Sequence, residues 1–405
     1  MPYALVAMLA TALLINYVDR GGLSIAAPLM ASELHLSDNA IFLILSAFFW
    51  GYVPSQPVMG WLVDHLGAAR VLAAGLALWA VATFLAGVAA GVSALLGLRL
   101  LMGVGESVFY PSALALLAQR VGDRERGRAT AVIQLGALVG PALGAFVGGI
   151  IMIRYGWRAM FMGLGLVSLL WLIPWAGQLR QRPLTLARAP GPAPGLGAII
   201  TQPALWAVTL GNFCSNYAFW FVFTALPLYL VHERGLSLIA MTQFMTAFYV
   251  VDALSVVATG WALDAAIARG VTPGRAYRTA LVLSACGVGL SLIAVSVTGV
   301  GAGVALLLAT ALADGLNSPS VCAVTQRFAG PLATGRWMGV QNGVGNTAGI
   351  LAPVVTGALV TAGSGHYAVA LWVTGGVALV GLVAWLALVP QIQPVDWNAA
   401  SVPAQ

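Results

Sequence analysis

The chain alternates long apolar runs with short polar breaks. Residues 71–98, 279–313 and 337–395 contain no Asp, Glu, Lys or Arg. A helix needs about 20 apolar residues to cross a bilayer, so each run holds one or two crossings. The alternating ten-residue pattern of a membrane barrel is absent, and bundled helices are the other way to satisfy backbone groups in lipid. Dividing the runs at charges, Gly/Pro clusters and turns predicts twelve spans, near 4–30, 40–63, 71–91, 94–119, 129–152, 159–178, 204–231, 239–262, 279–298, 301–326, 337–361 and 367–389. The longest break, "LRQRPLTLARAPGPAPGLGAIITQP" at 179–203, is rich in Arg, Pro and Gly. It reads as a cytoplasmic linker between an N-terminal six-helix bundle (1–178) and a C-terminal one (204–390), with a tail at 391–405.

Composition agrees. The 405 residues are 60% hydrophobic and 7% charged, against roughly 25% charged in soluble domains, so the expected fold is an all-α membrane protein. All 18 basic residues are Arg. Without Lys there is no Walker A phosphate loop and no lysine Schiff base. The cysteines Cys214, Cys286 and Cys322 lie in apolar runs with no metal or redox spacing. The first 18 residues carry no charge and read as the start of the first span, not as a signal peptide. With both termini cytoplasmic, thirteen arginines fall in inside loops, three in outside loops and two, Arg20 and Arg99, within spans. The positive-inside rule favours that orientation.

The halves repeat. "GWLVDHLGAAR" (60–70) recurs as "GWALDAAIARG" (260–270), "ESVFYPS" (106–112) as "DGLNSPS" (314–320), and Gln134-x-Gly136 as Gln341-x-Gly343. Two six-span repeats in parallel order are the pattern of a rocking transporter with its site between the halves.

These stretches resemble the major facilitator superfamily. "GWLVDHLGAAR" is similar to its loop motif G-x-x-x-D-R-x-G-R-R, matching at Gly60, Asp64, Gly67 and Arg70, while His65 and Ala69 replace basic residues of the cytoplasmic latch. "RLLMGVGE" (99–106) is similar to its fourth-span pattern. Within the superfamily, "NYVDRGGLSIAAP" (16–28), "GVGESVFYPS" (103–112) and "GVQNGVGNTAGILAPVVTG" (339–357) resemble the anion:cation symporters, which carry sugar acids and other organic anions. "GALVGPALG" (136–144) points elsewhere: it resembles a fifth-span motif associated with proton antiporters.

Six ionisable residues fall inside predicted spans: Asp19, Arg20, Arg99, Glu106, Asp252 and Asp314. Such residues face a cavity or a partner, and a structural ion pair is the plain alternative to a functional site. Asp19 and Arg20 are adjacent, so their side chains diverge by about 100° on a helix. Arg99 and Glu106 share a helix face about 10.5 Å apart. That is long for a static pair and suits groups that change partners. An Arg that approaches or withdraws alters the hold of a buried carboxyl on its proton. The resemblance implies that Arg20 binds the substrate carboxylate, that Asp19 and Glu106 couple protons, and that Arg99 controls Glu106. It also implies substrate contacts from Tyr17, Tyr52 and Asn342; packing for the tyrosines and helix–helix hydrogen bonding for Asn342 are the alternatives. Asp314 occupies the repeat position of Glu106, and Asp252 that of Tyr52. There they would meet a substrate hydroxyl or ammonium, carry a further proton, or serve structure. Gly60, Asp64 and Arg70 are the gating candidates.

The sequence is thus read as a bacterial-type inner-membrane secondary transporter, monomeric, that imports a small organic anion with protons. No catalytic constellation, cofactor, metal or nucleic-acid partner is expected. The alternatives are a proton-coupled exporter of drugs or metabolites and a non-transporting sensor on the same fold.

Overall fold

The structure, a computed structural model, describes residues 3–121, 123–179 and 194–397. Linker residues 180–193, with Arg180, Arg182 and Arg188, and tail residues 398–405 lie outside the described residues.

The helices follow the apolar runs. The first three spans are α1 (Tyr3–Glu33), α2 (Asp38–Leu66) and α3 (Ala68–Ala86). The fourth is divided into α4 (Val92–Glu106) and α5 (Phe109–Arg120). The fifth combines α6 (Asp123–Leu143), a π-helical turn (Gly144–Gly148) and the start of α7 (Gly149–Leu179). α7 turns at Gly156, where φ is 84°, and its remainder is the sixth span. A short helix, α8 (Leu196–Ile200), precedes α9 (Pro203–His232), α10 (Leu238–Ala268) and α11 (Pro273–Val295), which are spans seven to nine. α12 (Val300–Asp314), α13 (Asn317–Gly345) and α14 (Ala348–Ala362) make the tenth and eleventh, with the turn at Gly330. α15 (Ala368–Val383) is the twelfth. By length and composition, eleven described helical segments suit a bilayer crossing, and the 50-residue segment Arg128–Gly177 contains two spans about Gly156. The predicted all-helical, twelve-span architecture is therefore the observed one.

The internal repeat reappears in backbone detail. The turn before α2 uses His35 in the left-handed region (φ 50°), and the turn before α10 uses Gly235 (φ 67°). Two residues on, Ser37 and Ser237 each accept a hydrogen bond from the amide three residues ahead, at 3.3 and 3.2 Å. Such caps satisfy amides that a helix start leaves open. The fourth span breaks at 107–108, after Glu106, and the tenth at 315–316, after Asp314. Pro111 and Pro319 explain both: each lacks the N–H that would bond the carbonyl four residues back, and its ring crowds that carbonyl.

By packing, the described residues form two compact units. One contains 3–179 with 223–249 and 356–365; the other contains 194–222, 250–355 and 366–397. The first unit thus takes in pieces of the C-terminal repeat. A Cβ added to Gly149 would stand 2.1 Å from Thr242 Cγ2, and one on Gly357 2.8 Å from Phe42 Cβ. In the second unit, residues 391–397 of the predicted tail pack against α13: Val395 N donates to Phe328 O (3.0 Å) and Trp397 Nε1 to Ala329 O (2.9 Å).

One contact fixes the geometry of the charged centre. α2 and α4 touch backbone to backbone at Gly51 and Gly103, where small residues let membrane helices approach. A Cβ on Gly103 would lie 2.0 Å from Phe48 O. The approach brings Phe48 and Tyr52 of α2 against the Arg99–Glu106 face of α4. Gly103→Ala should force the helices apart and destabilise the protein by about 1–3 kcal/mol. Gly97→Ala, on the same helix with open space at its Cβ, should not. Thermal unfolding in detergent checks this, and equal midpoints for both variants would refute it.

Candidate functional site

Within the first unit, α1 and α4 bring all four N-terminal ionisable residues into one buried cluster. Asp19, Arg20, Arg99 and Glu106 are 1%, 5%, 6% and 0% exposed. Arg20 donates from Nε (3.0 Å) and Nη2 (2.8 Å) to a single oxygen, Oε2 of Glu106. Nη2 also donates to Asn16 Oδ1 at 3.0 Å, one turn back on α1. Glu106 Oε1 has no hydrogen-bond partner. The Arg20 guanidinium carbon lies 5.0, 4.6 and 5.0 Å from the ring centroids of Tyr17, Phe48 and Tyr52, distances at which a ring quadrupole attracts a cation. Tyr52 is itself stacked on Phe48, with centroids 5.3 Å apart.

Asp19 points away from this pair, as adjacent helical positions require. Its Oδ2 accepts from Ser168 Oγ at 2.9 Å, on the sixth span. The divergence expected for the Asp19–Arg20 dipeptide is therefore present.

Arg99 is not bonded to Glu106. Its Nη1 donates to Met102 Sδ at 3.0 Å, its guanidinium carbon lies 5.5 Å from the Phe48 centroid, and its Nε has no acceptor. Its charge still acts on Glu106, Arg20 and Asp19. The sequence pairs Glu106 with Arg99 as its electrostatic control; the hydrogen-bonded partner of Glu106 in the structure is Arg20.

Four contributors carried no expectation from sequence. Asn16 had a signal, since it stands one turn before Arg20. Phe48 and Ser168 had none; tertiary packing places them. Tyr110 sits inside the quoted fourth-span stretch, and its hydroxyl interacts with Tyr17, Tyr52 and the Arg20 charge.

In the second unit Asp252 on α10 and Asp314 at the end of α12 interact electrostatically. The helices are tied beside them by Ser255 Oγ donating to Leu312 O at 2.7 Å. Both acids are partly exposed, and Asp252 Oδ1 has no hydrogen-bond partner. Asn342 is exposed on α13, while its neighbour Gln341 is buried and accepts from Thr325 Oγ1 at 2.8 Å. The gating candidates lie at the α2–α3 turn: Gly60 has open space at its Cβ, Arg70 is exposed, and the Asp64 side chain lies outside the described atoms. The three cysteines are free, and among the described residues no group of three His, Cys, Asp or Glu is placed to hold a metal.

The glycine motif at 136–144 has a packing role. A Cβ on Gly136 would lie 2.4 Å from Ala10 O, and one on Gly140 2.6 Å from Tyr17 Cβ. The motif seats α6 on the turn of α1 that carries Tyr17.

A twelve-span helical bundle with a buried charged cluster inside one repeat is the architecture of a membrane transport protein. The chain matches the Major Facilitator Superfamily over residues 9–353 and belongs to that family. It is 27% identical to the hexuronate transporter of Bacillus subtilis, over 96% of this chain and 94% of that one. It is 29% identical to the probable sulfoacetate transporter of Cupriavidus necator, over 93% and 91%. With the chloroplastic sodium-dependent phosphate transport protein 1 of Arabidopsis thaliana it shares 27% identity over 95% and 78%. Its fold matches the crystal structure of a bacterial homologue of the human lysosomal transporter Spinster, inward-facing and occupied, with a TM-score of 0.79, 16% identity and 98% of each chain covered.

Removing one partner of a buried ion pair strands the other charge, which costs about 3–5 kcal/mol. Arg20→Met and Glu106→Ala should each destabilise the protein by that order, while the Arg20→Met, Glu106→Ala double variant should lose clearly less than the sum of the two. Additive losses in thermal unfolding of the double variant would show that the two residues do not act as a pair.

Proposed function

We propose that the protein is a proton-coupled symporter that imports a small organic anion across a bacterial inner membrane, with both termini cytoplasmic and the monomer as the working unit. The observation that carries this reading is the Arg20–Glu106 pair. Arg20 is the group suited to a carboxylate, because its planar fork matches two oxygens. In the structure that fork is held by Glu106. A substrate carboxylate and the Glu106 carboxylate therefore compete for one cation. Protonation of Glu106 withdraws its charge and releases Arg20 to the substrate. When the proton leaves on the other side, Glu106 reclaims Arg20 and displaces the anion. Arg99 offers Glu106 a second position on the same helix face, and Asp19, held apart by Ser168, is a separate proton carrier. Tyr17 and Tyr52 line the guanidinium and supply hydroxyls to the substrate. Asn342 and Asp314 are the further candidates for substrate contact. Gly60, Asp64 and Arg70 form the cytoplasmic gate.

The relatives named for hexuronate, sulfoacetate and phosphate share the anionic character of their cargo, which supports an anion as substrate. The exporter alternative draws on the 136–144 motif and on Asp252 and Asp314; the glycines of the motif also pack against α1.

Arg20→Ala should abolish anion binding, and Arg20→Lys should retain little of it; unchanged affinity in isothermal titration would remove Arg20 from the site. Glu106→Gln, a neutral mimic, should lose gradient-driven accumulation in proteoliposomes yet keep counterflow exchange. Accumulation at an unchanged proton-to-substrate ratio would remove Glu106 from coupling. Asp314→Asn should weaken hydroxylated or amino acids more than plain carboxylates of similar size, and equal effects on both would return Asp314 to structure or proton handling.

A further inference from the structure

Ser168 has two acceptors and one hydrogen. Its Oγ lies 2.9 Å from Asp19 Oδ2 on α1 and 2.9 Å from Leu164 O, one turn back on its own helix. A serine hydroxyl gives one hydrogen and receives with two lone pairs, so it cannot donate to both at once. Among the described residues this is the hydrogen bond that Asp19 makes. Asp19 Oδ1 has no partner, and the Trp79 indole faces the carboxyl from α3 without its Nε1 completing a bond. Both Ser168 and Asp19 are buried, so bulk water does not stand in for a missing partner. The helices are close-packed here: a Cβ on Gly22, three residues beyond Asp19, would stand 3.2 Å from Leu164 Cδ1. The junction has two complete hydrogen-bonding states. With Asp19 ionised, Ser168 gives its hydrogen to Oδ2. With a proton on Oδ2, the acid donates to Oγ, and the serine hydrogen turns to Leu164 O, the bond open to a serine four residues along a helix. Neither state strands a buried donor, which would be costly.

We propose that Ser168 is a positioning residue for Asp19 that reverses its hydrogen bond when the carboxyl takes a proton, so that this site loads and unloads by rotation of one hydroxyl while α1 and the sixth span stay packed. This rests on Asp19 as a proton carrier and gives that carrier a partner in both of its states. The charged groups that face Asp19 are Glu106 and Arg99, both on α4. Neither is hydrogen-bonded to it, so neither replaces the hydroxyl.

Infrared spectroscopy reads the switch directly, because the C=O stretch of a protonated carboxyl falls when its O–H donates a hydrogen bond. Spectra of the purified full chain are recorded across a pH titration without substrate, and Asp19→Asn identifies the Asp19 band by its loss. Ser168→Ala should move that band to higher wavenumber. Ser168→Cys should move it part of the way, since sulfur is a weak acceptor, and Ser168→Thr, which keeps the hydroxyl, should leave it in place. A serine that only joins two helices would not produce this order. An unmoved band in Ser168→Ala and Ser168→Cys would overturn the proposal. So would a Ser168→Thr band displaced as far as that of Ser168→Ala. If Ser168→Ala does not fold, the contrast between the Cys and Thr variants decides. Should Asp19→Asn remove no band at any pH, Asp19 takes no proton; its role as carrier then falls and the switch with it, while Arg20 and Glu106 keep theirs.

Discussion

The buried bond between Arg20 and Glu106 is the constraint around which the first unit is arranged. Neither charge could sit in that interior alone, so the helices that carry them must meet. The meeting is secured on three sides: Asn16 shares the guanidinium, the rings of Tyr17, Phe48 and Tyr52 surround it, and the Gly51–Gly103 contact sets how closely α2 and α4 approach. The pair is nevertheless incomplete. Two donors converge on one carboxylate oxygen while the other is left over. A fork-to-fork pair would use both oxygens. A geometry short of the best available bond suits the exchange of partners proposed for this pair.

Arginine as the sole basic residue type follows the same logic. A guanidinium keeps its charge at any physiological pH, so in the proposed cycle the cations of the cluster are fixed and the carboxyls alone carry protons. Lysine in a comparable interior shifts its protonation readily, which would blur the distinction between anion site and proton site.

Much of this was legible in the sequence. Apolar runs of bilayer length gave the spans, because in lipid a helix must satisfy its own backbone. The repeat gave the equivalence of Glu106 and Asp314, which reappears as two proline-dependent breaks directly after the acids. The divergence of Asp19 from Arg20 followed from helical geometry. What could not be read was the identity of the partners. Ser168 is 149 residues from Asp19, and no local pattern joins them. Glu106 stood on a face with Arg99, yet its bond goes to Arg20 on another helix, 86 residues away. Spacing along one helix limits which groups can meet, but helix packing chooses among them. Asn342 and Gln341 make the same point: adjacent amides, one exposed and one buried against Thr325.

The division of the fold by packing differs from its division by ancestry. Residues 223–249 and 356–365 belong to the second repeat by sequence and to the first unit by contact. Cutting the chain at the linker would therefore not yield two self-sufficient halves. The N-terminal fragment would bare the surfaces at Phe42 and Gly149 that Gly357 and Thr242 now cover, and the C-terminal fragment would carry segments with no unit of their own to join. Co-expressed fragments would have to find each other in the bilayer before either was complete, so the single polypeptide is an assembly device as well as a tether.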